Sequence, residues 1–367
     1  MKNIAIIGTR GIPAKYGGFE TFAEAISTLL SAEGFDITVQ CDNNSYPQNE
    51  YKGVKLYFSS VSKSNRPVKY FYEGFKWGIR NADIIIVAST AASLFYFLNI
   101  FRKRIILTNP DGLEYRRKKW STAKKKYLKL SEMLAVKFSD YLIADSESIK
   151  QYLISTYKNV EQKIRVIEYG AYQNRYTDSE VLKKYRLEQN GYFLVVSRLE
   201  PENNLEMILD AYSGAKTICP LVIAGNILEN GYVKSLIKRF SSGKVLFIGG
   251  VYDRKELSAL RYSCKAYIHG HSVGGTNPSL LEAMGSRNII LAHDNEFNRE
   301  VTQGNQLYFS NSVQCRKMIN EIELMTSEEA DSYKEASYRR VTDKYSWDNI
   351  LKKYLDLFNE ISVRSIK

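Results

Sequence analysis

Cysteine and histidine are both scarce in this sequence of 367 residues, which contains four cysteines and three histidines. The cysteines lie far apart, and none has a partner at CxxC spacing. That pattern is typical of reduced thiols rather than of a disulfide framework or a zinc site. The histidines, His269, His271 and His293, are too separated to predict a metal site, and each alone is more often structural. We therefore expect four structural cysteines and no metal-binding set.

Long hydrophobic runs are also missing. No apolar segment could span a bilayer, and 44% hydrophobic with 25% charged residues is the composition of a globular protein. The chain enters an apolar strand at Asn3 with no signal-peptide pattern before it, so we expect a soluble, cytoplasmic protein. A chain of 367 residues is too long for one ordinary core, which predicts two domains.

Acidic residues are outnumbered, and the net charge is +12. Residues 102–129 hold 11 lysines and arginines against two acids, so this segment carries 9 of the surplus charges. A helix is predicted from Ser121 to Phe138 with lysines at its amino end, where cations oppose the helix dipole. Helix stability does not explain that cluster, so we expect it to bind an anionic membrane surface or a lipid diphosphate. A solvated lysine face is the alternative. Nucleic acid is not expected, because no base-stacking motif accompanies the charge.

Short apolar strands alternate with helical patterns, which predicts an α/β protein with parallel sheets covered on both faces. We predict two doubly wound, Rossmann-like domains facing a cleft, at residues 1–170 and 188–345. Residues 171–187 would form a linker, and a final helix at 346–367 would pack back toward the first domain. The predicted strands are Asn3–Ile7, Gly53–Ser59, Asp83–Val87, Arg104–Leu107, Asp140–Ala144, Tyr192–Ser197, Pro220–Ala224, Lys244–Ile248, Ala266–His269 and Asn288–Leu291.

A glycine-rich turn containing Gly17 and Gly18 follows the first strand and leads into a helix, an arrangement typical of an anion site. Gly8 and Gly11 lie three apart, so the turn lacks the GxGxxG spacing of dinucleotide-binding proteins. Asp42 nevertheless ends the next strand, where an acid would bind a ribose. An NAD-dependent oxidoreductase therefore remains an alternative.

The stretch Lys265–Gly285 is predicted to be a strand, a polar loop and a helix. Asn277 can cap that helix, Pro278 suits its first turn, and Ser279 and Glu282 stand at capping-box spacing. The preceding Gly275 and Thr276 leave backbone amides beside the positive end of the helix dipole, which suits a phosphate or sugar hydroxyls. In the alternative interpretation the loop is only a helix cap and Glu282 only closes the capping box.

Arg198 follows a predicted strand and should lie at its carboxyl end. An arginine there can bind a diphosphate through two hydrogen bonds, which a lysine cannot do. A surface arginine paired with Glu200 or Glu202 is the alternative.

Three segments together resemble glycosyltransferase family 4, the retaining enzymes of GT-B fold. They are Gly17-Gly18, Ser197-Arg-Leu-Glu-Pro-Glu-Asn-Asn204 and Gly274-Gly-Thr-Asn-Pro-Ser-Leu-Leu-Glu-Ala-Met284. The opening Gly8-Thr-Arg-Gly-Ile-Pro-Ala-Lys-Tyr-Gly-Gly-Phe-Glu-Thr21 is similar to the bacterial branch containing rhamnosyltransferases of cell-wall and capsular polysaccharide synthesis. The resemblance covers nearly the whole chain.

The resemblance implies that Arg198 neutralises the donor diphosphate, that Glu282 holds the nucleotide ribose and that the strand end near Gly249 faces the base. Two positions depart from the family pattern: Asn203 replaces the usual diphosphate lysine, and Gly274 replaces a sugar-binding glutamate, whose place Ser272 or His271 could fill. The full expected donor-binding set is Gly17, Gly18, Arg198, Asn203, Asn204, Gly249, Val251, Gly275, Thr276, Asn277 and Glu282.

Asp111 stands where many members of that family have a histidine. A carboxylate there could accept the proton of the acceptor hydroxyl or stabilise an oxocarbenium charge. The alternative is an Asp-Gly turn without a catalytic role. Asp145, at the end of the next strand beside Ser146, is the second candidate, although capping of the helix from Glu147 explains both residues almost as well.

The sequence therefore predicts a retaining glycosyltransferase that needs no metal ion and no other cofactor. The expected donor is dTDP-L-rhamnose and the expected acceptor a polyprenyl-diphosphate-linked saccharide at the inner face of the membrane. The alternatives are a UDP-sugar donor such as UDP-glucose or UDP-N-acetylglucosamine, the oxidoreductase, and a non-catalytic anion-binding protein. The expected acceptor and membrane residues are Arg116, Arg117, Lys118, Lys119, Lys124, Lys125 and Lys126.

Overall fold

The computed structural model describes residues 2–14, 17–43, 45–110, 115, 120–227, 231–241 and 243–364. Contacts between Cα atoms divide the chain into two units, Met1–Tyr169 with Trp347–Lys367, and Gly170–Ser346. Each unit has its own sheet of mainly parallel strands with helices between them. The predicted α/β class with two doubly wound sheets is confirmed.

The first unit contains a sheet in the order β3-β4-β2-β1-β5-β6-β7-β8. Its strands are β1 Asn3–Ile7, β2 Asp36–Cys41, β3 Glu50–Tyr51, β4 Val54–Phe58, β5 Ile84–Val87, β6 Ile105–Thr108, β7 Tyr141–Ala144 and β8 Ile164–Val166. Its helices are α1 Gly18–Ala32, α2 Pro67–Asn81, a 3-10 helix Thr90–Asn99, α3 Thr122–Phe138, α4 Glu147–Thr156 and the last helix of the chain, α13 Trp347–Arg364. Only the short edge strand β3 pairs antiparallel among these.

The strands of this sheet are apolar at successive positions, so both of its faces must be covered. Ile4 and Ile84 pair across β1 and β5, and both are buried. On one face the rings of Phe75 and Tyr96 stack between α2 and the 3-10 helix. On the other, α13 packs against α1, and the ring of Tyr354 lies 6.1 Å from that of Phe22.

The second unit contains an all-parallel sheet in the order β11-β10-β9-β12-β13-β14. Its strands are β9 Phe193–Val196, β10 Leu221–Ala224, β11 Val245–Gly249, β12 Ala266–His269, β13 Ile289–His293 and β14 Leu307–Phe309. Its helices are α5 Ser179–Tyr185, α6 Leu205–Ser213, α7 Gly231–Phe240, α8 Arg254–Ser263, α9 Pro278–Gly285, α10 Glu296–Thr302, α11 Ser312–Leu324 and α12 Ser327–Arg340, followed by a π-helical turn, Val341–Tyr345.

The strand order reverses direction between β9 and β12 in this unit, and between β1 and β5 in the first. Open parallel sheets bind ligands at such a switch point, beyond the carboxyl ends of the strands. The turn containing Arg198 follows β9, and the loop before α9 follows β12. The sheet topology therefore brings two predicted donor-binding segments to one edge.

Several details differ from the sequence interpretation. Strands β3, β8 and β14 were not predicted, and neither was the 3-10 geometry of the helix Thr90–Asn99. Residues 171–187 contain α5 and pack on the second unit, where Asn174 N–H donates to the carbonyl of Gly285 at 3.0 Å. None of the described helices is both long enough and apolar enough to cross a membrane.

Candidate functional site

The amino end of α9 is capped as the sequence predicts. The side chain of Asn277 accepts the N–H of Ser279 at 3.0 Å, and Pro278 occupies the first helical turn. The prediction of a capping box between Ser279 and Glu282 is wrong. Ser279 Oγ instead donates to the carbonyl of Val196 at 2.9 Å and bonds to the hydroxyl of Tyr267, which ties α9 to the ends of β9 and β12.

Glu282 forms an ion pair with Arg261 of α8, with 2.5 Å between Nη2 and Oε2. The arginine side chain is 7% exposed and that of the glutamate 32% exposed. No other described residue bonds to the Glu282 carboxylate, which is partly exposed. A buried arginine requires such a partner. Sequence reasoning missed Arg261, because α8 reads as an ordinary amphipathic helix and its partner lies in another helix.

The loop after β12 is held at two places, by hydrogen bonds to the Arg198 turn and to the beginning of α10. Ser272 donates from its N–H and its hydroxyl to the carbonyl of Glu202, at 3.3 and 2.9 Å. The side-chain amides of Asn295 and Asn298 each donate to the carbonyl of His271 at 3.0 Å. A fixed loop presents its backbone amides to a ligand without first having to order them. Gly275 and Thr276 continue this loop into the cap of α9.

All three histidines of the chain lie at the ends of β12 and β13. The rings of His269 and His271 stack 4.4 Å apart, and His269 also stacks on Tyr267. Burial, with a smaller contribution from His293, lowers the pKa of His269 to about 3. Within the described part of the chain, no three His, Cys, Asp or Glu side chains are grouped to hold a metal ion.

In the turn after β9, the Arg198 side chain is partly exposed, and both asparagines form hydrogen bonds that hold the backbone. The Arg198 side chain is 39% exposed, and its contact with Glu200 is long, at 3.8 Å. Asn203 donates to the carbonyl of Arg198 at 2.6 Å, and Asn204 donates to that of Gly270 at 2.8 Å. A side chain at Gly270 would overlap the carbonyl oxygen of Asn203. The turn is therefore joined to the loop after β12.

Glu202 lies in the same turn and was not predicted as a site residue. The side chain is buried, and neither carboxylate oxygen receives a hydrogen bond from any described residue. A buried charged group without hydrogen bonds is costly, which makes this carboxylate a candidate to bind ligand hydroxyls. The one feature of the sequence that could have indicated Glu202 is an acidic residue in a turn whose other residues have structural roles.

Gly249 and Val251 lie at the carboxyl end of the edge strand β11. Gly249 has a φ of 77°, and its carbonyl accepts the N–H of Gly225 at 2.9 Å, which fixes the strand end beside β10. One strand, β10, thus separates this predicted base-binding segment from the strand that leads into the Arg198 turn.

In the first unit, buried acids hold the loop after β1. Glu20 accepts the N–H of Arg10 at 2.9 Å, and Glu24 accepts that of Ala14 at 2.7 Å. Gly17 has a φ of 113°, and Gly18 begins α1. Because the Glu20 carboxylate lies beside Gly17, an anion at this helix end would meet a negative charge.

Three other predicted positions have ordinary structural contacts. Asp42, the ribose-binding acid of the oxidoreductase alternative, accepts the backbone N–H of Lys63 at 2.7 Å. Asp145 is buried and accepts the hydroxyl of Ser146 at 3.2 Å. Ser146 in turn caps α4 through the N–H of Ile149. Capping thus accounts for Ser146, as the alternative interpretation expected.

The basic segment is described in part. Lys124, Lys125 and Lys126 lie near the amino end of α3, and the ammonium of Lys124 is 4.6 Å from the ring centroid of Tyr127. The predicted residues Asp111, Arg116, Arg117, Lys118 and Lys119 lie outside the described residues.

Residues 1–172 match the family described as Domain of unknown function (DUF1972), and residues 178–340 match Glycosyl transferases group 1. A probable sucrose-phosphate synthase from Thermosipho melanesiensis is 24% identical over 64% of this chain, and the match spans 57% of that relative's length.

Two solved structures match along almost the whole chain. Sucrose-phosphate synthase from Thermosynechococcus elongatus has a TM-score of 0.83 at 15% identity and covers 99% of this chain and 100% of its own. The Anabaena protein HepE in complex with UDP-glucose has a TM-score of 0.78 at 15% identity, over 98% and 100% of the two chains. The chain therefore has the GT-B fold along its length, and residues 178–340 match the group 1 glycosyltransferase family.

Proposed function

We propose that the protein is a retaining glycosyltransferase of family 4 that takes its sugar from a nucleoside diphosphate donor. The observation that carries this proposal is the half-buried Glu282 carboxylate, held by Arg261 beside the amino end of α9. That helix end favours an anion, and a carboxylate favours the hydroxyls of a pentose. The two preferences together fit a nucleoside diphosphate. The UDP-glucose complex of HepE supports such a ligand for this fold.

On this proposal the diphosphate lies at the amino end of α9, near the amides of Gly275 and Thr276 and the cap residue Asn277. Arg198 neutralises it, and Gly249 and Val251 face the base. Asn203 and Asn204 hold the Arg198 turn in place because their side-chain amides donate to the carbonyls of Arg198 and Gly270. Gly17 and Gly18, at the amino end of α1, remain predicted donor-binding residues of the first unit.

The sugar is transferred when the bond between its anomeric carbon and the diphosphate oxygen breaks and the electron pair stays on the diphosphate. Arg198 and the helix dipole balance the developing charge, so no metal ion is required. The acceptor oxygen bonds to the anomeric carbon with retention, and its proton passes to Asp111 or Asp145. The buried Asp145 supports that second assignment through its position at the carboxyl end of β7.

The proposed donor is dTDP-L-rhamnose and the proposed acceptor a polyprenyl-diphosphate-linked saccharide of a bacterial surface polysaccharide. The resemblance of residues 8–21 to rhamnosyltransferases supports this choice. A UDP-sugar is the second candidate, which the HepE complex with UDP-glucose favours. The cluster of Arg116, Arg117, Lys118, Lys119, Lys124, Lys125 and Lys126 would hold the protein at the inner face of the membrane.

The test measures release of nucleoside diphosphate from dTDP-rhamnose, UDP-glucose, UDP-N-acetylglucosamine and GDP-mannose. Each donor is supplied with a lipid-diphosphate-linked glucose or N-acetylglucosamine acceptor, in the presence of EDTA. We expect turnover of one donor, abolished by Arg198→Ala and by Asp111→Asn or Asp145→Asn. Binding of a nucleotide sugar without turnover of any donor would favour the non-catalytic alternative, and tight NADH binding the oxidoreductase.

A further inference from the structure

The outer helical layer of the first unit's sheet is formed by α2, the 3-10 helix and α3. Ser93 of the 3-10 helix donates its hydroxyl to the carbonyl of Ser131 in α3 at 2.6 Å. On its other side, Phe95 packs edge-on against Tyr72 of α2, with ring centroids 5.5 Å apart. The three elements therefore present one continuous surface, which extends along the strands.

This surface exposes large apolar side chains at both ends. Where the chain leaves the 3-10 helix, Phe97 is 55%, Ile100 61% and Phe101 93% exposed. We refer to these three residues as the apolar tip. At the beginning of α2, Val68 and Tyr72 are exposed and border a groove of about 460 Å³. Clustered exposed apolar residues mark an interaction surface, whereas single ones do not.

The apolar tip is held rigidly. The side chain of Asn99 accepts the N–H of Arg104 at 2.9 Å and donates to its carbonyl at 2.7 Å. The N–H groups of Arg102 and Lys103 both donate to the carbonyl of Asn99. These bonds fix the backbone of the turn, so Phe101 is held at the surface before binding.

The same surface is strongly basic. Residues 66–81, 90–103 and 120–138 contain eleven lysines and arginines and two acids. Both acids already have partners: Glu73 accepts from Ser60 and pairs with Lys69, and Glu132 pairs with Lys129. Cations remain beside both apolar areas, with Arg66 lining the α2 groove and Arg102 and Lys103 following the apolar tip.

We infer that this layer lies flat on an anionic lipid bilayer, with the apolar tip inserted among the acyl chains. Apolar aromatic side chains surrounded by cations suit the boundary between headgroups and hydrocarbon, where lysine and arginine stems can reach the phosphates. The inference rests on the proposed lipid-linked acceptor. It adds apolar insertion, by residues outside the basic segment, to electrostatic attraction.

The experiment compares sedimentation of the full-length protein with vesicles of phosphatidylglycerol and phosphatidylcholine. The triple variant Phe97→Ser, Ile100→Ser, Phe101→Ser removes the apolar tip. The matched control changes three exposed apolar residues of the second unit, Ile218→Ser, Val313→Ser and Leu324→Ser. We expect the tip variant to partition about tenfold less onto anionic vesicles, and the control to bind like the wild type.

Three results would overturn the inference. In the first, the tip variant binds anionic vesicles as well as the wild type does. In the second, the wild type does not bind anionic vesicles at low salt. In the third, the wild type is an oligomer without lipid and the tip variant is a monomer. The last result would identify a second copy of the chain as the occupant. Calorimetry with nucleoside diphosphates in lipid-free solution tests the proposed function separately from membrane binding. The wild type and the tip variant should bind the nucleotide equally well. If neither binds it, the proposed function has failed, whatever the vesicle result.

Discussion

Arg261 and Glu282 join α8 to α9 through an ion pair between Nη2 and Oε2, and no other described residue bonds to that carboxylate. In the proposed donor site, this pair would fix the direction in which the glutamate receives a ligand hydroxyl. Because Arg261 is the more buried partner, we propose that it positions Glu282 without touching the donor.

Replacing Arg261 by methionine should therefore weaken donor binding without changing the chemistry of the reaction. We expect KM for the nucleotide sugar to rise about tenfold, equivalent to about 1.4 kcal/mol, with a smaller change in kcat. Stability should fall by about 1–3 kcal/mol, less than for a fully buried pair because Glu282 still reaches water. Steady-state kinetics and urea unfolding measure the two effects.

A double-mutant cycle separates positioning from a general loss of stability. Arg261→Met combined with Glu282→Gln should weaken binding hardly more than Glu282→Gln alone, since both changes remove the same interaction. Arg239→Met is the matched control, because Arg239 pairs with Glu206 in solvent. Additive losses in the double variant would show that Arg261 acts independently of Glu282.

The buried Glu202 carboxylate should lower the stability of the free protein while it contributes to donor binding. Glu202→Gln removes a buried charge that has no hydrogen-bond donor among the described residues, so we expect unfolding free energy to rise by about 1 kcal/mol. If the carboxylate binds donor hydroxyls, KM should increase in the same variant. Thermal unfolding and kinetics test this prediction. A variant that is less stable than the wild type would mean that the carboxylate is satisfied in the folded protein.

His269 should make the protein less stable in mild acid. The pKa of His269 in the folded protein is about 3, against 6.5 for an ordinary histidine, so the unfolded chain binds more protons between these values. The contribution is present above pH 6.5 and is lost as pH falls toward 3, by up to about 1.4 kcal/mol per pH unit. Urea unfolding from pH 7 downward should show this slope, reduced in His269→Gln. An equal slope in the variant would assign the effect to other groups.

Asn277 allows the cap and the anion site to be tested separately. Asn277→Ala removes the bond to Ser279 and should cost about 1 kcal/mol of stability. Asn277→Asp keeps the cap and suits the helix dipole, so stability should be retained. The added negative charge should nevertheless weaken diphosphate binding, which calorimetry with a nucleoside diphosphate would detect. Unchanged affinity in the aspartate variant would place the diphosphate elsewhere.

Local signals in the sequence predicted the local features of this site. Asn277 and Pro278 act within one turn of helix, so spacing alone indicated the cap correctly. The same spacing was misleading for Ser279 and Glu282, because their partners, Val196 and Arg261, are distant in the sequence. Spacing cannot distinguish a capping box from two long-range contacts.

Strands with continuous apolar runs, separated by helical segments, could be predicted from the sequence. Strand β14 escaped detection because it has three residues, and β3 because it has two and pairs only at the edge of the sheet. Arg261 and Glu202 could not be found from the sequence, because their burial depends on packing between elements. The apolar tip had no signal either, since exposure of Phe101 is a property of the folded surface.

The most direct test of the account is calorimetric titration of the full-length protein with UDP and with dTDP. We predict that one of them binds, that Glu282→Gln weakens binding about tenfold and that Arg198→Ala weakens it at least as much. Arg239→Met should bind like the wild type. Binding of neither nucleotide, or equal affinity in all three variants, would contradict a donor site at the amino end of α9.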